Sequence, residues 1–237
     1  MANLVLVHGA WHGAWCWSKL APLLEVQGHL VLTPDMPGHG QDNTPLSRVT
    51  MKRYVRRISE TVENLGENVV LVGHSMGGVV ISQVAEQIPE RIEKLIYLTG
   101  FLLQNGQTLF STMQHEHGQS LSVAAQNGTA LEVPDQVFAE VFYSDCTEAE
   151  RSWAKPQLAA QAALPFASKI AVTEAGFGSV CKAYIQCELD CVIRPDEQAQ
   201  MIAATPCEHV ISVAAGHMAM ISQPELLAAA MCKMVSS

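Results

Sequence analysis

Short runs of Val, Ile and Leu alternate along this chain with longer stretches whose apolar residues recur at helical spacing. Six runs, at residues 4–8, 30–33, 69–72, 95–99, 181–188 and 209–213, are rich in apolar side chains and predict strands buried on both faces. Between them, residues 15–26, 51–65, 78–88, 196–204 and 224–235 carry the pattern of helices with an apolar face. Strands that alternate with helices specify parallel pairing, because each crossover must bring the chain back over a sheet face before the next strand begins. The expected fold class is therefore α/β, a mainly parallel six-stranded sheet flanked by helices on both faces.

The alternation stops after Thr99 and resumes near Cys181. The stretch between them carries Gln, Gly, Ser and His over residues 104–126, then helix-like pieces at 134–142, 147–158 and 159–170. A structureless loop of that size is uncommon in a compact domain. Residues 104–170 are accordingly expected to form a helical cap, inserted into a core made of residues 1–103 and 171–237 and covering the edge where the strands end. A length of 237 residues, 49% of them hydrophobic and 16% charged, suits one such core-rich domain with an insertion.

Charge and cysteine content narrow the partners. A net charge of −9 with no offsetting basic cluster opposes binding to nucleic acid or to an anionic membrane surface. No apolar run reaches the roughly 18 residues of a membrane span. The chain begins Met1-Ala2-Asn3-Leu4 and enters its first strand without the charged start of a signal peptide. Seven scattered cysteines (Cys16, Cys146, Cys181, Cys187, Cys191, Cys207 and Cys232) fit reduced thiols in a cytoplasmic protein better than a disulfide framework.

The chemistry concentrates at strand ends. Gly73-His74-Ser75-Met76-Gly77 lies between an apolar strand and a helix, the setting in which Gly-x-Ser-x-Gly holds a serine up as a nucleophile. Such a serine needs a base. Of nine histidines, His217 follows directly on the last strand near the C-terminus, so its imidazole emerges at the same sheet edge. Asp190 ends the preceding strand and would hold that imidazole in one tautomer, with Glu188 and Asp196 as rivals for the role. Acyl transfer also needs donors for a developing oxyanion. The turn His8-Gly9-Ala10-Trp11-His12-Gly13 after the first strand offers the Ala10 amide, and the elbow offers that of Met76.

Together with Gly73-His74-Ser75-Met76-Gly77-Gly78, the segments Val7–Trp17, Gly176-Phe177-Gly178-Ser179-Val180 and Gly216-His217-Met218-Ala219-Met220 resemble the α/β-hydrolase group that contains plant methylesterases, the salicylate-binding methylesterase and the hydroxynitrile lyases. The resemblance is strong over residues 1–100 and 174–237 and weak in the cap, while Asp35-Met36-Pro37-Gly38-His39-Gly40 looks more like bacterial esterases. It implies an α/β-hydrolase fold, catalytic Ser75, Asp190 and His217, oxyanion donors Ala10 and Met76, and a homodimer in some relatives. The lyases of the group look different at two positions, with threonine in the place of Gly9 and lysine in the place of Met218. The expected activity is hydrolysis of a small-molecule ester (methyl, short-chain or aryl) without a cofactor. The alternatives are a lyase and a ligand-binding protein with a residual triad.

Gly9, Trp11, Phe110, Trp153 and Met218 are the candidate substrate contacts, with Phe138, Phe142 and Met113 as further cap residues able to line an apolar pocket. A metal site at His115-Glu116-His117 is disfavoured, because two histidines at i, i+2 do not share a helix face and the surroundings read as a solvated loop.

Overall fold

The computed structural model describes residues 1–113 and 121–236. The six apolar runs form one parallel sheet, with β1 at Asn3–Val7, β2 at Leu30–Leu32, β3 at Val69–His74, β4 at Ile92–Leu98, β5 at Cys181–Cys187 and β6 at His209–Val213. Their spatial order is β2-β1-β3-β4-β5-β6. The register runs Val7 opposite Gly73, Gly73 opposite Tyr97, and Tyr97 opposite Tyr184. The chain reverses its direction across the sheet between β1 and β3, and a crevice forms at such a switch point where two connections leave in opposite directions.

Five helices cover the sheet: α1 at Leu20–Val26, α2 at Met51–Leu65, α3 at Gly77–Gln87, α4 at Pro195–Ala204 and α5 at Pro224–Ser236. Right-handed crossovers put α2, α3 and α4 on one face, while α1 packs with α5. Local chemistry sets the ends of α2. Thr50 accepts the Arg53 N–H at 3.2 Å as its N-cap, and Gly66 leaves the helix at a φ of 104°. Met51, Tyr54, Val55, Ile58 and Val62 then form the buried stripe.

Two sequence expectations are corrected. The helix expected over 15–26 breaks into a 3-10 turn at Ala14–Trp17 followed by α1, because Cys16 and Trp17 are drawn wholly into the core, where the Trp17 ring stands edge-on to His74 at 6.2 Å. The insertion is not helical throughout. Val123–Ala125, Ala130–Glu132 and Gln161–Ala162 form a three-stranded antiparallel sheet, and only Leu164–Ala167 of the expected 159–170 piece is helical. Gln126, Asn127 and Gly128 take φ values of 48°, 57° and 83°, closing a hairpin through the Asn-Gly turn that the expectation overlooked. The helical turns of the insertion lie at Leu109–Thr112, Asp135–Val137 running into Phe138–Phe142, and Glu148–Ala154.

All seven cysteines are unpaired. Among the described residues no helix is long and apolar enough to cross a membrane.

The C-terminal end of β5 is tied to α4 by one buried side chain. Gln198 accepts the Cys187 N–H at 3.0 Å and donates to the carbonyls of Cys187 and Ile193 at 3.1 and 2.7 Å. Removing it leaves buried backbone groups unpaired, so Gln198→Ala is expected to lower the unfolding free energy by about 2–4 kcal/mol. Urea denaturation checks this against Gln200→Ala on the exposed face, where the change should stay within about 0.5 kcal/mol.

Candidate active site

The turn between β3 and α3 is crowded to a degree that only glycine satisfies. A Cβ at Gly73 would lie 2.7 Å from the Gly77 carbonyl, and one at Gly77 would lie 2.5 Å from the Val7 carbonyl oxygen. Between them Ser75 sits at a φ of 52°, a left-handed conformation rare for a residue with a side chain. The Ser75 carbonyl accepts N–H groups of Gly78 and Phe101, both at 3.0 Å, which anchors the turn. Its hydroxyl makes no hydrogen bond among the described residues, although the residue is buried.

His217 and Asp190 are brought together from the loops after β6 and β5. The His217 Nδ1–H donates to Asp190 Oδ2 at 2.7 Å, and Thr99 at the end of β4 donates its hydroxyl to the same oxygen at 2.5 Å. The other carboxylate oxygen accepts the N–H groups of Val192 and Ile193 at 2.6 and 3.0 Å. A buried carboxylate with four donors is fixed in orientation. The rivals are elsewhere: Glu188 and Asp196 are exposed, and Asp196 faces Arg194 at 3.4 Å. His74, adjacent to Ser75, donates Nε2–H to the His217 carbonyl at 2.9 Å with the two rings 4.7 Å apart. That bond ties the backbone of the histidine loop to the elbow.

Ala10 and Met76 are buried, and neither amide N–H has a partner among the described residues. Buried amides are rarely left unpaired, and a pair beside a serine is the arrangement that receives a developing oxyanion. Gly9 permits the approach, since a Cβ there would stand 2.9 Å from Ser75 Cβ.

The remaining sequence candidates divide. Met218 is fully buried next to His217. Trp11, at a φ of 63°, gives its indole N–H to the Leu131 carbonyl at 2.9 Å and packs against Phe142 and Phe166. Phe142 reaches the site, its ring edge-on to His217 at 5.6 Å, whereas Phe138 packs on Tyr143. Phe110 and Trp153 are each more than a third exposed, Phe110 packing on Phe166 and Trp153 on Trp15. A cavity of about 340 Å³ opens beside the site, with Leu102, Met113, Leu121, Val192, Ile193 and Met201 in its wall. The wall includes neither Ser75 nor His217, although Val192 and Ile193 are the residues held by Asp190.

Sequence reasoning missed Thr99, His74 and two residues of the insertion, Tyr143 and Asp145. Tyr143 donates to His12 at 2.9 Å, and Asp145 accepts the Gly216 N–H at 2.6 Å. Thr99 had a signal, since it ends a strand at the same edge; the partners of Tyr143 and Asp145 left none in the local pattern. Among the described residues no group of three or more His, Cys, Asp or Glu side chains is placed to hold a metal ion, and His115-Glu116-His117 lies outside the described residues.

The pattern of the alpha/beta hydrolase family matches residues 4–230. Methylesterase 2 of Arabidopsis thaliana is 32% identical over 95% of this chain and 92% of its own. The alpha-hydroxynitrile lyase of the same plant is 33% identical over 95% and 93%. The chain spans 62% of the length of a longer chloroplastic relative that is 31% identical. Among solved structures, a pyrethroid hydrolase from Sphingobium faniae JZ-2 superposes with a TM-score of 0.88 at 28% identity, covering 100% of this chain and 98% of that one. An esterase and a lyase match over the same span at nearly the same identity, so overall similarity does not choose between the two chemistries.

Four more histidines surround the site, and all are buried: His8, His12, His39 and His74. Burial is the main cause that pushes each below the ordinary imidazole value, His12 down to about 3. In the unfolded chain each binds a proton near about pH 6.5. Below that pH the unfolded state therefore holds more protons than the folded one, and stability falls until the folded values are reached. The loss is up to about 1.4 kcal/mol per pH unit for each histidine. The urea midpoint should be level between about pH 7 and 8 and decline steadily from about 6.5 downward; a level midpoint to pH 5 would contradict the neutral, buried assignment.

Proposed function

The chain belongs to the alpha/beta hydrolase family, and on that premise we propose that it hydrolyses small carboxylic esters, methyl, short-chain or aryl, through an acyl-serine intermediate. The observation that carries the reading is the unbonded Ser75 hydroxyl, presented by a strained turn beside the His217–Asp190 pair. The names of the methylesterase relative and of the pyrethroid hydrolase support the same class of reaction.

In the proposed reaction Ser75 Oγ attacks the ester carbonyl while His217 Nε2 takes its proton. Asp190 holds the opposite nitrogen and stabilises the imidazolium without taking the proton. The Ala10 and Met76 amides receive the oxyanion, and His217 then protonates the departing alcohol. A water activated by the same imidazole releases the acid and restores the serine. A Ser75–His217 hydrogen bond, not made in the free protein, forms when substrate enters, as catalytic contacts commonly tighten only in the complex. No step calls on a cofactor. The insertion, residues 104–170, acts as the cap that selects the ester, and its Phe142 ring stands 5.6 Å from that of His217.

The lyase relative favours a second reading, cleavage of a cyanohydrin. It is the weaker one. Cyanide leaves as an anion, an unpaired buried charge costs several kcal/mol, and position 218 is a fully buried thioether rather than a cation. Threonine at position 9 would also need Ser75 to move, given the 2.9 Å approach there.

Ser75→Ala is expected to lower turnover of p-nitrophenyl and methyl esters by about 10⁴-fold or more without loss of fold. A fluorophosphonate should label the wild-type protein and leave the variant unlabelled. The same preparations assayed with mandelonitrile should release no serine-dependent cyanide above the ester rate. Ester turnover retained in folded Ser75→Ala, or cyanide release outpacing it in the wild type, overturns the assignment.

A further inference from the structure

One turn of the insertion touches both halves of the site. Tyr143 donates its hydroxyl to His12 Nε2 at 2.9 Å, and His12 donates Nδ1–H to the Ala10 carbonyl at 2.7 Å. The carbonyl can only accept, so Nδ1 carries the proton and Nε2 must be the acceptor from Tyr143. Two residues on, Asp145 Oδ2 accepts the Gly216 N–H at 2.6 Å and the Ser222 hydroxyl at 2.8 Å. Gly216 precedes His217, and a Cβ at 216 would collide with the Asp145 carboxylate.

The turn is itself held from below. Arg151 donates Nε–H to the Tyr143 carbonyl at 3.0 Å and an Nη2 hydrogen to the Ser144 carbonyl at 3.1 Å. Lys19 joins the same region to the helical turn Ala219–Ser222 that follows His217, pairing with Glu150 at 2.5 Å and donating to the Ile221 carbonyl at 3.1 Å.

We propose that residues 143–145 form a brace in which Tyr143, through His12, sets the Ala10 oxyanion amide and Asp145, through Gly216, sets the imidazole of His217. Tyr143 and Asp145 are positioning residues, since neither touches the reacting atoms. The Ala10 amide and the His217 ring lie on loops after different strands, β1 and β6, at opposite sides of the elbow. The insertion spans that gap with one hydrogen bond to the His12 imidazole, which holds the Ala10 carbonyl, and one to the Gly216 N–H. Folding of the insertion and assembly of the site are thereby one event. A shift of about 1 Å in a reacting group costs on the order of 100-fold in rate, so the brace acts on turnover rather than on affinity.

The kinetic part rests on the ester-hydrolase reading; the structural part does not. Asp145→Ala, Asp145→Asn and Tyr143→Phe are compared with the wild type for kcat and KM on p-nitrophenyl acetate, for thermal unfolding, and for the downfield proton resonance of His217 Nδ1–H. Asp145→Ala is expected to lower kcat about ten- to a hundredfold with KM within about twofold, and to shift or broaden the resonance. Asn at 145 keeps an acceptor and should restore most of both. Tyr143→Phe should lower kcat severalfold at unchanged KM and leave the resonance in place, because it acts on the oxyanion side. Should Asp145→Ala fail to fold, Tyr143→Phe decides by its kcat, since it removes a single oxygen. Wild-type kcat in folded Asp145→Ala or in Tyr143→Phe, a raised KM alone, or an unmoved resonance in Asp145→Ala overturns the brace. If the wild type turns over no ester, the function proposed above fails while the resonance still tests Asp145.

Discussion

The close approach of three backbone segments at the end of β3 is the constraint on which the rest of the site depends. The Val7 carbonyl lies where a Gly77 side chain would be, the Gly77 carbonyl where a Gly73 side chain would be, and Gly9 faces Ser75 Cβ with no room between. Packed this closely, the start of α3 and the end of β1 leave the Ala10 and Met76 amides buried and unpaired on either side of one serine. The reversal of strand order between β1 and β3 makes the approach possible, because the two connections diverge there and leave a crevice. The cost is local strain at Ser75, and the hydrogen bonds to its carbonyl from Gly78 and Phe101 hold the turn against relaxation.

Charge is sparse around this elbow. His8, His12, His39 and His74 are kept neutral by burial, and each uses at least one ring nitrogen as a hydrogen-bonding strut. His8 accepts the Met36 N–H, His12 links Ala10 to Tyr143, His39 meets Gln161 of the insertion, and His74 holds the His217 carbonyl. The carboxylate of Asp190 is met by four donors, two amides of its own loop, the Thr99 hydroxyl and His217. In surroundings of low polarity each such interaction is stronger than it would be in water. The site is thus organised largely by fixed dipoles.

The insertion contributes more than a cover. Trp11 ties the turn after β1 to Leu131 and Ala159, Gln161 reaches His39 and Tyr54, and the turn at Tyr143 and Asp145 reaches both His12 and Gly216. Its elements are short, and it is held to the core by hydrogen bonds to buried side chains such as His12, His39 and Tyr54 and to the backbone at Trp11 and Gly216. A segment held this way can change its exposed residues freely while keeping the anchors, which is how a shared core comes to face different substrates.

Strand and helix periodicity, the Gly-x-Ser-x-Gly turn, and the position of Asp190 and His217 at strand ends were all legible in the chain, because each depends on residues near in sequence: β6 and α2 run over the predicted residues themselves, 209–213 and 51–65. The hairpin at Asn127-Gly128 was equally local and went unread, as was the break of the 15–26 helix around Cys16 and Trp17. Tertiary structure alone decided the contacts that support those residues. Thr99 meets Asp190 across 91 residues, Tyr143 meets His12 across 131, and Asp145 meets Gly216 across 71. It also left Trp153 and Phe110 partly exposed and set Phe142 beside His217. Hydrophobic period and turn chemistry report which face of an element is buried, but the partner of a single buried polar group is set by where distant loops meet once the sheet has brought them to one edge.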